Sequence, residues 1–279
     1  MTLEPLRIPD LLRRYHLRPQ KSLGQNFLAD HNVLGKIVRD AEVRPDQDVL
    51  EIGAGLGSLT RVLAVNARSV VAVEIDAHLF PALEAVTMPF NNVRLVQGDI
   101  MAIPPDTLFT DAYCVVANIP YYITSGVIRH LLEAAVKPDR IVLTMQREVA
   151  ERILNRDEKM SLLSLSVQVY GQARITSHIP VACFYPQPKV DSSVLIIDVY
   201  QQPLLSEARM RRLFQLAHSA FNQKRKMLRS SLRPLLGSDL ELVSELLESA
   251  GIDPASRPEA LDLDAWIRLT DVLYQKDAS

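Results

Sequence analysis

The chain has 279 residues, 48% of them hydrophobic, and its 31 basic and 33 acidic residues leave a formal net charge of −2. No apolar run approaches the ~18 residues that a membrane-spanning helix needs. The first residues include Glu4 and no apolar signal segment, so we expect a cytoplasmic protein with no membrane partner. Two cysteines and six scattered histidines have neither metal-ligand spacing nor a disulfide framework, which argues against a metal site and for reduced cysteines.

The first predicted elements are a helix over residues 32–42 and a buried strand over residues 48–52. The strand runs into a glycine-rich turn, and a helix over residues 58–66 follows. Glycines at such a turn let the backbone pass close to a ligand. The third glycine comes one position earlier than the G-x-G-x-x-G dinucleotide pattern requires, and no P-loop lysine follows. The three glycines of this turn are Gly53, Gly55 and Gly57.

Two further strands each lead to an acidic residue. The strand over residues 69–73 is followed by Glu74, about 20 residues past the first glycine, where a carboxylate can accept hydrogen bonds from both ribose hydroxyls of a nucleoside cofactor. After a helix over residues 77–85, the strand over residues 93–96 leads to Asp99, which can accept from an adenine amino group. Ligands of open parallel sheets lie at the carboxyl ends of the strands. We therefore expect both acids at one site, the alternative being a tight turn with a solvated glutamate.

A fourth apolar strand over residues 113–117 ends in Asn118-Ile119-Pro120-Tyr121. These four residues offer an amide oxygen, a backbone carbonyl beside a proline and an aromatic face. That combination suits an exocyclic amino group on a flat base, with two acceptors for its N–H bonds and a ring to stack on. Alone, Asn-x-Pro after a strand is more often just a turn. Together with the glycine turn and the two acids, it favours adenine as the target.

The remaining elements divide the chain into two parts. Alternating strands and helices up to about residue 152 are typical of βαβ units, and a late strand within residues 194–199 is expected to close the sheet. A linker is predicted at residues 201–203, with only helices beyond it. We predict an α/β domain over residues 1–202 and a smaller all-α domain over residues 203–279. The further predicted elements are helices at 124–135, 148–154, 162–170, 206–219, 223–235, 240–250 and 258–274, and a strand at 140–145.

Several sequence strings resemble the ribosomal RNA small-subunit adenine dimethyltransferase family. The form Glu51-x-Gly53-x-Gly55-x-Gly57 is similar to the first motif of S-adenosylmethionine-dependent methyltransferases. Motifs that match the family are specific in combination and extend from about Lys21 to near the C-terminus. They are KSLGQNFL at 21–28, FYPQPKVDS at 184–192, FNQKRKML at 221–228, GIDP at 251–254 and RPE at 257–259.

This resemblance implies a Rossmann-like class I methyltransferase domain that uses S-adenosyl-L-methionine. The reaction it implies is dimethylation of the N6 amino groups of two adjacent adenosines in the 3′-terminal hairpin of small-subunit rRNA. The partner would be that rRNA or an immature small ribosomal subunit, with a role in subunit biogenesis, and the protein would be monomeric. The two parts would then be a methyltransferase domain and a helical RNA-binding or substrate domain.

The resemblance also assigns site residues. Phe184 is expected to contact the target base opposite Tyr121, although an aromatic before a Pro-x-Pro turn also suits a core position. The catalytic set is Asn118, Pro120, Tyr121 and Phe184. The cofactor-binding set is Gln25, Asn26, Leu28, Gly53, Gly55, Glu74, Ile75, Asp99, Ile100 and Asn118.

The net charge conceals a strongly divided C-terminal part. Residues 203–237 contain eight basic residues and one acidic residue, whereas residues 238–279 contain ten acidic and three basic residues. A basic helical face is suited to tracking RNA phosphates, although a solvated helix face is the alternative. The residues that we assign to RNA binding are Arg211, Arg212, Lys224, Arg225, Lys226 and Arg229.

Two other functions remain open on these residues. A related large-subunit dimethylase, of the type that confers macrolide resistance, also accommodates Asn-Ile-Pro-Tyr. The GIDP and RPE strings resemble the small-subunit enzymes and argue against it. A non-catalytic binding role on the same fold is disfavoured by the intact Gly53, Glu74, Asp99 and Asn118.

Overall fold

The computed structural model describes residues 3–120, 123–154, 159–223, 225–237 and 239–277. The strands are β1 (Phe27–Leu28), β2 (Asp48–Ile52), β3 (Ser69–Glu74), β4 (Val93–Gln97), β5 (Tyr113–Asn118), β6 (Arg140–Gln146), β7 (Gly171–Ile179), β8 (Phe184–Tyr185) and β9 (Ser192–Val199). The helices are α1 (Ile8–Arg14), α2 (His31–Asp40), α3 (Ser58–Asn66), α4 (Phe80–Thr87), α5 (Thr124–Leu132), α6 (Arg147–Ile153), α7 (Leu162–Tyr170), α8 (Glu207–Phe221), α9 (Leu228–Ser231), α10 (Arg233–Leu236), α11 (Leu240–Ser249) and α12 (Leu263–Asp277).

A seven-stranded sheet in the order β4-β3-β2-β5-β6-β9-β7 organises the first compact unit of the described chain. The strands β4, β3, β2, β5 and β6 are parallel to their neighbours, and β9 runs antiparallel to β6. The strand order reverses between β2 and β5, because the chain moves outward to β4 before it returns to β5. Ligands of doubly wound sheets lie in the crevice at such a reversal, so the ends of β2 and β5 locate the site.

The central parallel strands β3, β2, β5 and β6 are mostly buried, whereas the edge strand β4 is not. Every residue of β2 after Asp48 is buried, as are the first five residues of β5. Helices cover the sheet, as a two-faced apolar sheet requires. The helix α2 begins where Asp30 accepts from the backbone N–H groups of Asn32 and Val33 (2.9 and 3.0 Å), which is a standard N-cap.

Three strands of the structure, β7, β1 and β8, carry no clear sequence signal. The strand β7 lies at the edge of the sheet beyond β9, so β9 does not close the sheet as expected. A separate two-stranded ribbon pairs β1 with β8 antiparallel, placing Phe27 opposite Tyr185 and Leu28 opposite Phe184. This ribbon joins the N-terminal segment to the segment that contains Phe184.

The second compact unit contains residues Glu151–Gly171 together with the residues from Tyr200 onward, and the first contains Gln172–Val199 with the residues up to Ala150. The division at Val199 lies close to the expected linker at 201–203. Residues Glu151–Gly171 nevertheless group with the C-terminal helices, because α7 contributes Leu165 and Val169 to the apolar core that surrounds Trp266.

Two C-terminal helices differ from their predicted extents. The expected helix over residues 223–235 is wrong, because Leu228 donates its N–H to the carbonyl of Ser256 (2.8 Å) and starts the separate short helix α9. The helix α10 then begins at Arg233, with Pro234 in its first turn. The expected helix at 258–274 begins only at Leu263, after an isolated 3₁₀ turn at Pro258–Ala260 and an extended Leu261.

Candidate active site

An open pocket with a cavity volume of about 180 Å³ lies at the carboxyl ends of β2, β3, β4 and β5. The segment before β1 forms one wall. The predicted site residues that line the pocket are Gln25, Asn26, Gly53, Gly55, Glu74, Ile75, Asp99, Ile100, Asn118, Pro120 and Phe184.

Two members of the predicted set are not among the lining residues. Leu28 is 3% exposed and packs in the main apolar core, where its backbone pairs with that of Phe184. Tyr121 lies outside the described residues, so its role stays a prediction.

The glycine turn folds back onto the end of β3. The N–H groups of Gly53 and Ala54 donate to the carbonyl of Val73 (2.8 and 3.2 Å). The backbone of Gly53 is left-handed (φ 76°), and a Cβ there would lie 3.5 Å from the carbonyl oxygen of Asn118. The turn therefore brings the ends of β2, β3 and β5 together at one point.

Glu74 is held by this turn. Its Oε2 accepts from the N–H of Gly55 (2.7 Å) and its Oε1 accepts from the N–H of Asp76 (2.8 Å). The side chain is 5% exposed, and burial raises the pKa of its carboxyl group above the ordinary value. Each carboxylate oxygen has a second lone pair, which a ribose hydroxyl at this pocket wall can use.

The part of the pocket at the end of β4 combines apolar side chains with one carboxylate. Ile75 is 50% exposed at the pocket wall, whereas Ile100 is buried. Oδ1 of Asp99 accepts from the N–H of Met101 (2.9 Å), which fixes the carboxylate at the end of β4. Oδ2 is then available to accept from an amino group of a bound ligand.

Asn118, the last residue of β5, has its amide orientation set by a neighbouring segment. Its Nδ2 donates to the backbone carbonyl of Asn26 (3.2 Å). Since the donor end of the amide is used in this way, Oδ1 is the end left to accept from a ligand. Ile119 is buried and Pro120 follows at the pocket wall.

Phe184 lies both in the apolar core and at the pocket wall. It is 3% exposed and belongs to the main apolar core, and it also lines the pocket. Strand β8 positions it through the pairing with β1. Its contact with a target base stays a prediction.

One polar residue beside this pocket was not found from the sequence. Asp76 is 5% exposed, and its Oδ2 accepts from Nε2 of Gln20 (2.9 Å) and from Nε2 of Gln25 (2.7 Å). The only local signal is that an aspartate precedes a helical turn, where its Oδ1 caps the N–H of His78 (3.0 Å). The contacts with Gln20 and Gln25 join parts of the chain more than fifty residues apart, which no local pattern indicates.

Glu51 lies beneath the glycine turn and is 1% exposed. Its Oε2 has no hydrogen-bond partner among the described residues. Burial raises the pKa of Glu51 to about 8 from an ordinary 4.5. The side chain is therefore protonated around neutral pH and acts as a buried neutral acid.

The residues assigned to RNA binding lie in the second compact unit. Within the described part of the chain, Arg225, Lys226 and Arg229 form no ion pair, and Lys226 lines a shallow cleft with Arg233. Arg211 pairs with Glu207 on the same helix. Arg212 contacts Oε1 of Gln215 (3.4 Å), and Lys224 lies outside the described residues.

In the described residues, no helix has the length and apolar content needed to cross a membrane. No group of three or more His, Cys, Asp or Glu side chains in that same part of the chain is placed to hold a metal ion.

Known proteins resemble this chain over most of its length. A family model described as ribosomal RNA adenine dimethylase matches residues 17–274. Ribosomal RNA small subunit methyltransferase A of Moorella thermoacetica is 40% identical over 281 residues, which cover 96% of this chain and 97% of that protein. The protein of the same name from Dehalococcoides mccartyi strain CBDB1 is 39% identical over 262 residues, covering 93% of this chain and 90% of that one.

Solved structures confirm the Rossmann-like methyltransferase fold. The 23S rRNA methyltransferase ErmE is 29% identical with a TM-score of 0.72, and the match covers 90% of this chain and all of that chain. A dimethyladenosine transferase from Plasmodium falciparum has a TM-score of 0.77 at 24% identity, covering 90% of this chain and 98% of that one. On the family match and these identities, the chain belongs to the ribosomal RNA adenine dimethylase family.

Proposed function

We propose that this protein uses S-adenosyl-L-methionine to dimethylate the N6 amino groups of two adjacent adenosines in the 3′-terminal hairpin of small-subunit rRNA. The carrying observation is that Asn118 lines the same pocket as Glu74 and the glycine turn, with its Oδ1 left as the acceptor. The names of the relatives with 36–40% identity support small-subunit RNA as the substrate class.

The chain's own residues suit the cofactor. Glu74 would accept from the ribose hydroxyls, and Asp99 from the adenine amino group. Ile75 and Ile100 offer apolar surface to the adenine ring. The cofactor supplies an activated methyl group on a sulfonium sulfur. The glycine turn gives this part of the cofactor close access to the backbone, because no side chain stands in the way.

The acceptors around the target amino group explain how a weak nucleophile becomes competent. The lone pair of an adenine amino nitrogen is delocalised into the ring. Its two N–H bonds would donate to Oδ1 of Asn118 and to the backbone carbonyl of Ile119 or Pro120. These two hydrogen bonds would favour a pyramidal nitrogen whose lone pair faces the methyl donor. These contacts would align the amino nitrogen with the methyl group. Because the methyl donor is already activated, this alignment is a large part of the catalysis. The proton leaves after transfer, when the amine is acidic, so a strong general base is not required.

The target must leave its stack to reach this pocket. Base-modifying enzymes act on extruded or single-stranded bases, and a hairpin end supplies unstacked adenosines. Phe184 and Tyr121 would contact the extruded base, and base–aromatic stacking contributes about 1–3 kcal/mol per base. The basic residues Arg225, Lys226 and Arg229 would bind RNA phosphates outside the pocket.

The test is methyl transfer from labelled S-adenosylmethionine to small subunits that lack the modification, with large subunits and naked RNA assayed in parallel and the products mapped. We expect dimethyladenosine at two adjacent small-subunit positions. An Asn118→Ala variant assayed beside the wild type controls for labelling by contaminating enzymes.

The two alternatives are separate outcomes of the same assay. The likeness to ErmE, whose name specifies 23S rRNA, favours a large-subunit substrate as the second candidate. Label on large-subunit RNA would overturn the small-subunit proposal in its favour. Cofactor binding without label on any RNA would refute the proposed target and leave a binding role.

A further inference from the structure

Asp76 forms a buried hydrogen-bond junction that the proposed reaction does not use. One carboxylate oxygen caps the N–H of His78 at 3.0 Å. The other accepts two side-chain amides, from Gln20 at 2.9 Å and from Gln25 at 2.7 Å. Oε1 of Gln25 in turn accepts from the N–H of Gln20 at 2.8 Å. With the carboxylate 5% exposed, water does not compete effectively for these bonds.

This junction lies between the two halves of the site. The N–H of Asp76 donates to Oε1 of Glu74, the proposed ribose ligand. Gln25 is followed by Asn26, whose carbonyl orients the amide of Asn118. A continuous series of hydrogen bonds and one short segment thus connects the cofactor carboxylate to the acceptor for the target amino group.

The segment at residues 20–26 depends on such anchors. It contains one short 3₁₀ turn, Lys21–Leu23, with no buried residue. Its apolar anchoring begins only at Phe27, whose ring lies close to the glycine turn. Between these points, the side chains of Gln20 and Gln25 attach the segment to the body of the domain through Asp76.

We propose that Asp76 is a positioning residue that holds the segment at residues 20–26 over the cofactor pocket and, through Asn26, sets the orientation of Asn118. This inference rests on the proposed function for its catalytic consequence. A carboxylate is required here because one oxygen must accept from two amide N–H groups while the other caps a backbone N–H. An asparagine that keeps its oxygen on His78 turns its own NH₂ group toward the NH₂ groups of both glutamines.

A swap of donor and acceptor tests the contact directly. Asp76→Asn alone sets amide groups against each other, and Gln25→Glu alone puts two carboxylates where a 2.7 Å hydrogen bond stood. In the double variant, Nδ2 of the new asparagine can donate to the new glutamate, whose other oxygen still accepts from the backbone N–H of Gln20. The side-chain amide of Gln20 can turn its oxygen toward the second N–H of that asparagine, so that no two NH₂ groups face each other. We expect each single variant to raise the Kd for S-adenosylmethionine about tenfold, the loss expected for a charge-assisted hydrogen bond. The double variant should recover most of that loss.

Three readouts separate positioning from general structural damage. Titration calorimetry gives the Kd for S-adenosylmethionine, hydrogen exchange of the free protein reports the amides of residues 20–26, and methyl transfer to small subunits gives kcat and KM. We expect faster hydrogen exchange confined to that segment. We also expect a lower kcat at saturating S-adenosylmethionine, which weaker cofactor binding does not explain. The control is Asp239→Asn, which alters an N-cap carboxylate in the second unit and should leave all three unchanged.

The proposal is overturned if both single variants keep Kd within about twofold and segment exchange is unchanged, or if the double variant is no better than the worse single one. Should Asp76→Asn fail to fold, Gln25→Ala decides the matter, since it leaves the cap on His78 in place. Binding and exchange do not depend on the RNA. A wild-type protein that binds cofactor but labels no small subunit would refute the proposed function and leave this inference to be judged separately.

Discussion

At the scale of single residues, Asn118 uses the two ends of its amide for different purposes. Nδ2 is committed to the carbonyl of Asn26, so Oδ1 is the end left to accept a hydrogen bond. A side chain without Nδ2 would lose the hydrogen bond that orients the amide. A side chain without Oδ1 could not accept a hydrogen bond from a ligand. Asn118 is therefore the residue whose removal should separate binding from chemistry.

We predict that Asn118→Ala loses most methyl transfer while its affinity for S-adenosylmethionine stays within several-fold, because the reacting nitrogen loses its acceptor whereas Glu74 and Asp99 remain in the pocket. Single-turnover transfer and calorimetry measure the two effects. Asn66→Ala, which removes an amide that bonds only to its own helix at Val62, is the matched control. Near-wild-type turnover in Asn118→Ala would contradict the assigned role.

Glu51 allows a prediction about pH and stability. Burial raises its pKa to about 8 in the folded protein, so between pH 4.5 and 8 the folded state keeps a proton that the unfolded state releases. The free energy of unfolding therefore falls as pH rises through this window, by up to about 1.4 kcal/mol per pH unit from this group. Below the window the group contributes no pH dependence.

Glu51→Gln removes this titration while it keeps the shape of the side chain. We expect the variant to gain stability relative to the wild type as pH rises from 5.5 to 8.5, measured by urea unfolding at each pH. Exposed Glu84→Gln serves as the control and should follow the wild-type profile. Parallel profiles for Glu51→Gln and the wild type would show that burial of this carboxyl group carries no such cost.

At the scale of elements, the turn between β2 and α3 determines how closely three strands and two helices approach. Gly53 and Gly57 both have left-handed backbones (φ 76° and 81°). A Cβ at Gly53 would have ordinary contact, whereas one at Gly57 would lie 2.9 Å from Cγ1 of Val86 on α4. An added side chain would strain the backbone at both positions, but it would overlap with α4 only at Gly57.

We predict that Gly57→Ala destabilises the protein more than Gly53→Ala. Each change lowers the free energy of unfolding by about 1–2 kcal/mol, because alanine is strained in a left-handed backbone conformation. Overpacking against α4 adds about 1–3 kcal/mol at Gly57 only. Urea unfolding of the two variants beside the wild type measures the difference, and equal losses would mean that α4 moves away at no cost.

At the scale of the whole molecule, the near-zero net charge is the sum of two opposed segments. The basic segment, residues 203–237, has eight basic residues against one acidic residue, and the acidic segment, residues 238–279, has ten acidic residues against three basic ones. A net charge of −2 thus coexists with a strongly basic segment.

We predict that replacing Lys224, Arg225 and Lys226 with glutamine weakens RNA binding and flattens its dependence on salt, because fewer counterions are released from the phosphates. Binding to small-subunit RNA at several salt concentrations gives the slope. A control variant removes three cations that already sit in ion pairs on the first unit, Lys36, Arg44 and Arg68. An unchanged slope in the glutamine variant would show that this segment is a solvated surface that does not bind RNA phosphates.

The sequence by itself determined the features that depend on short stretches of chain. Apolar strands alternating with helices led to the α/β class, which the solved structures confirm. The helix ranges 58–66 and 162–170 coincide with α3 and α7. Glu74 and Asn118 could be placed at one pocket, because parallel strands bring their carboxyl ends to the same edge of the sheet. The roles of the individual site residues remain predictions.

Only the tertiary structure decided the features that depend on distant partners. The two-residue strands β1 and β8 have too little local pattern to be recognised, and each exists because the other lies beside it. The interruption at Leu228 follows from its bond to Ser256, and Asp76 becomes a junction only when Gln20 and Gln25 reach it. A local pattern records the preferences of neighbouring residues, whereas these hydrogen bonds exist only once the folded chain brings their two ends together.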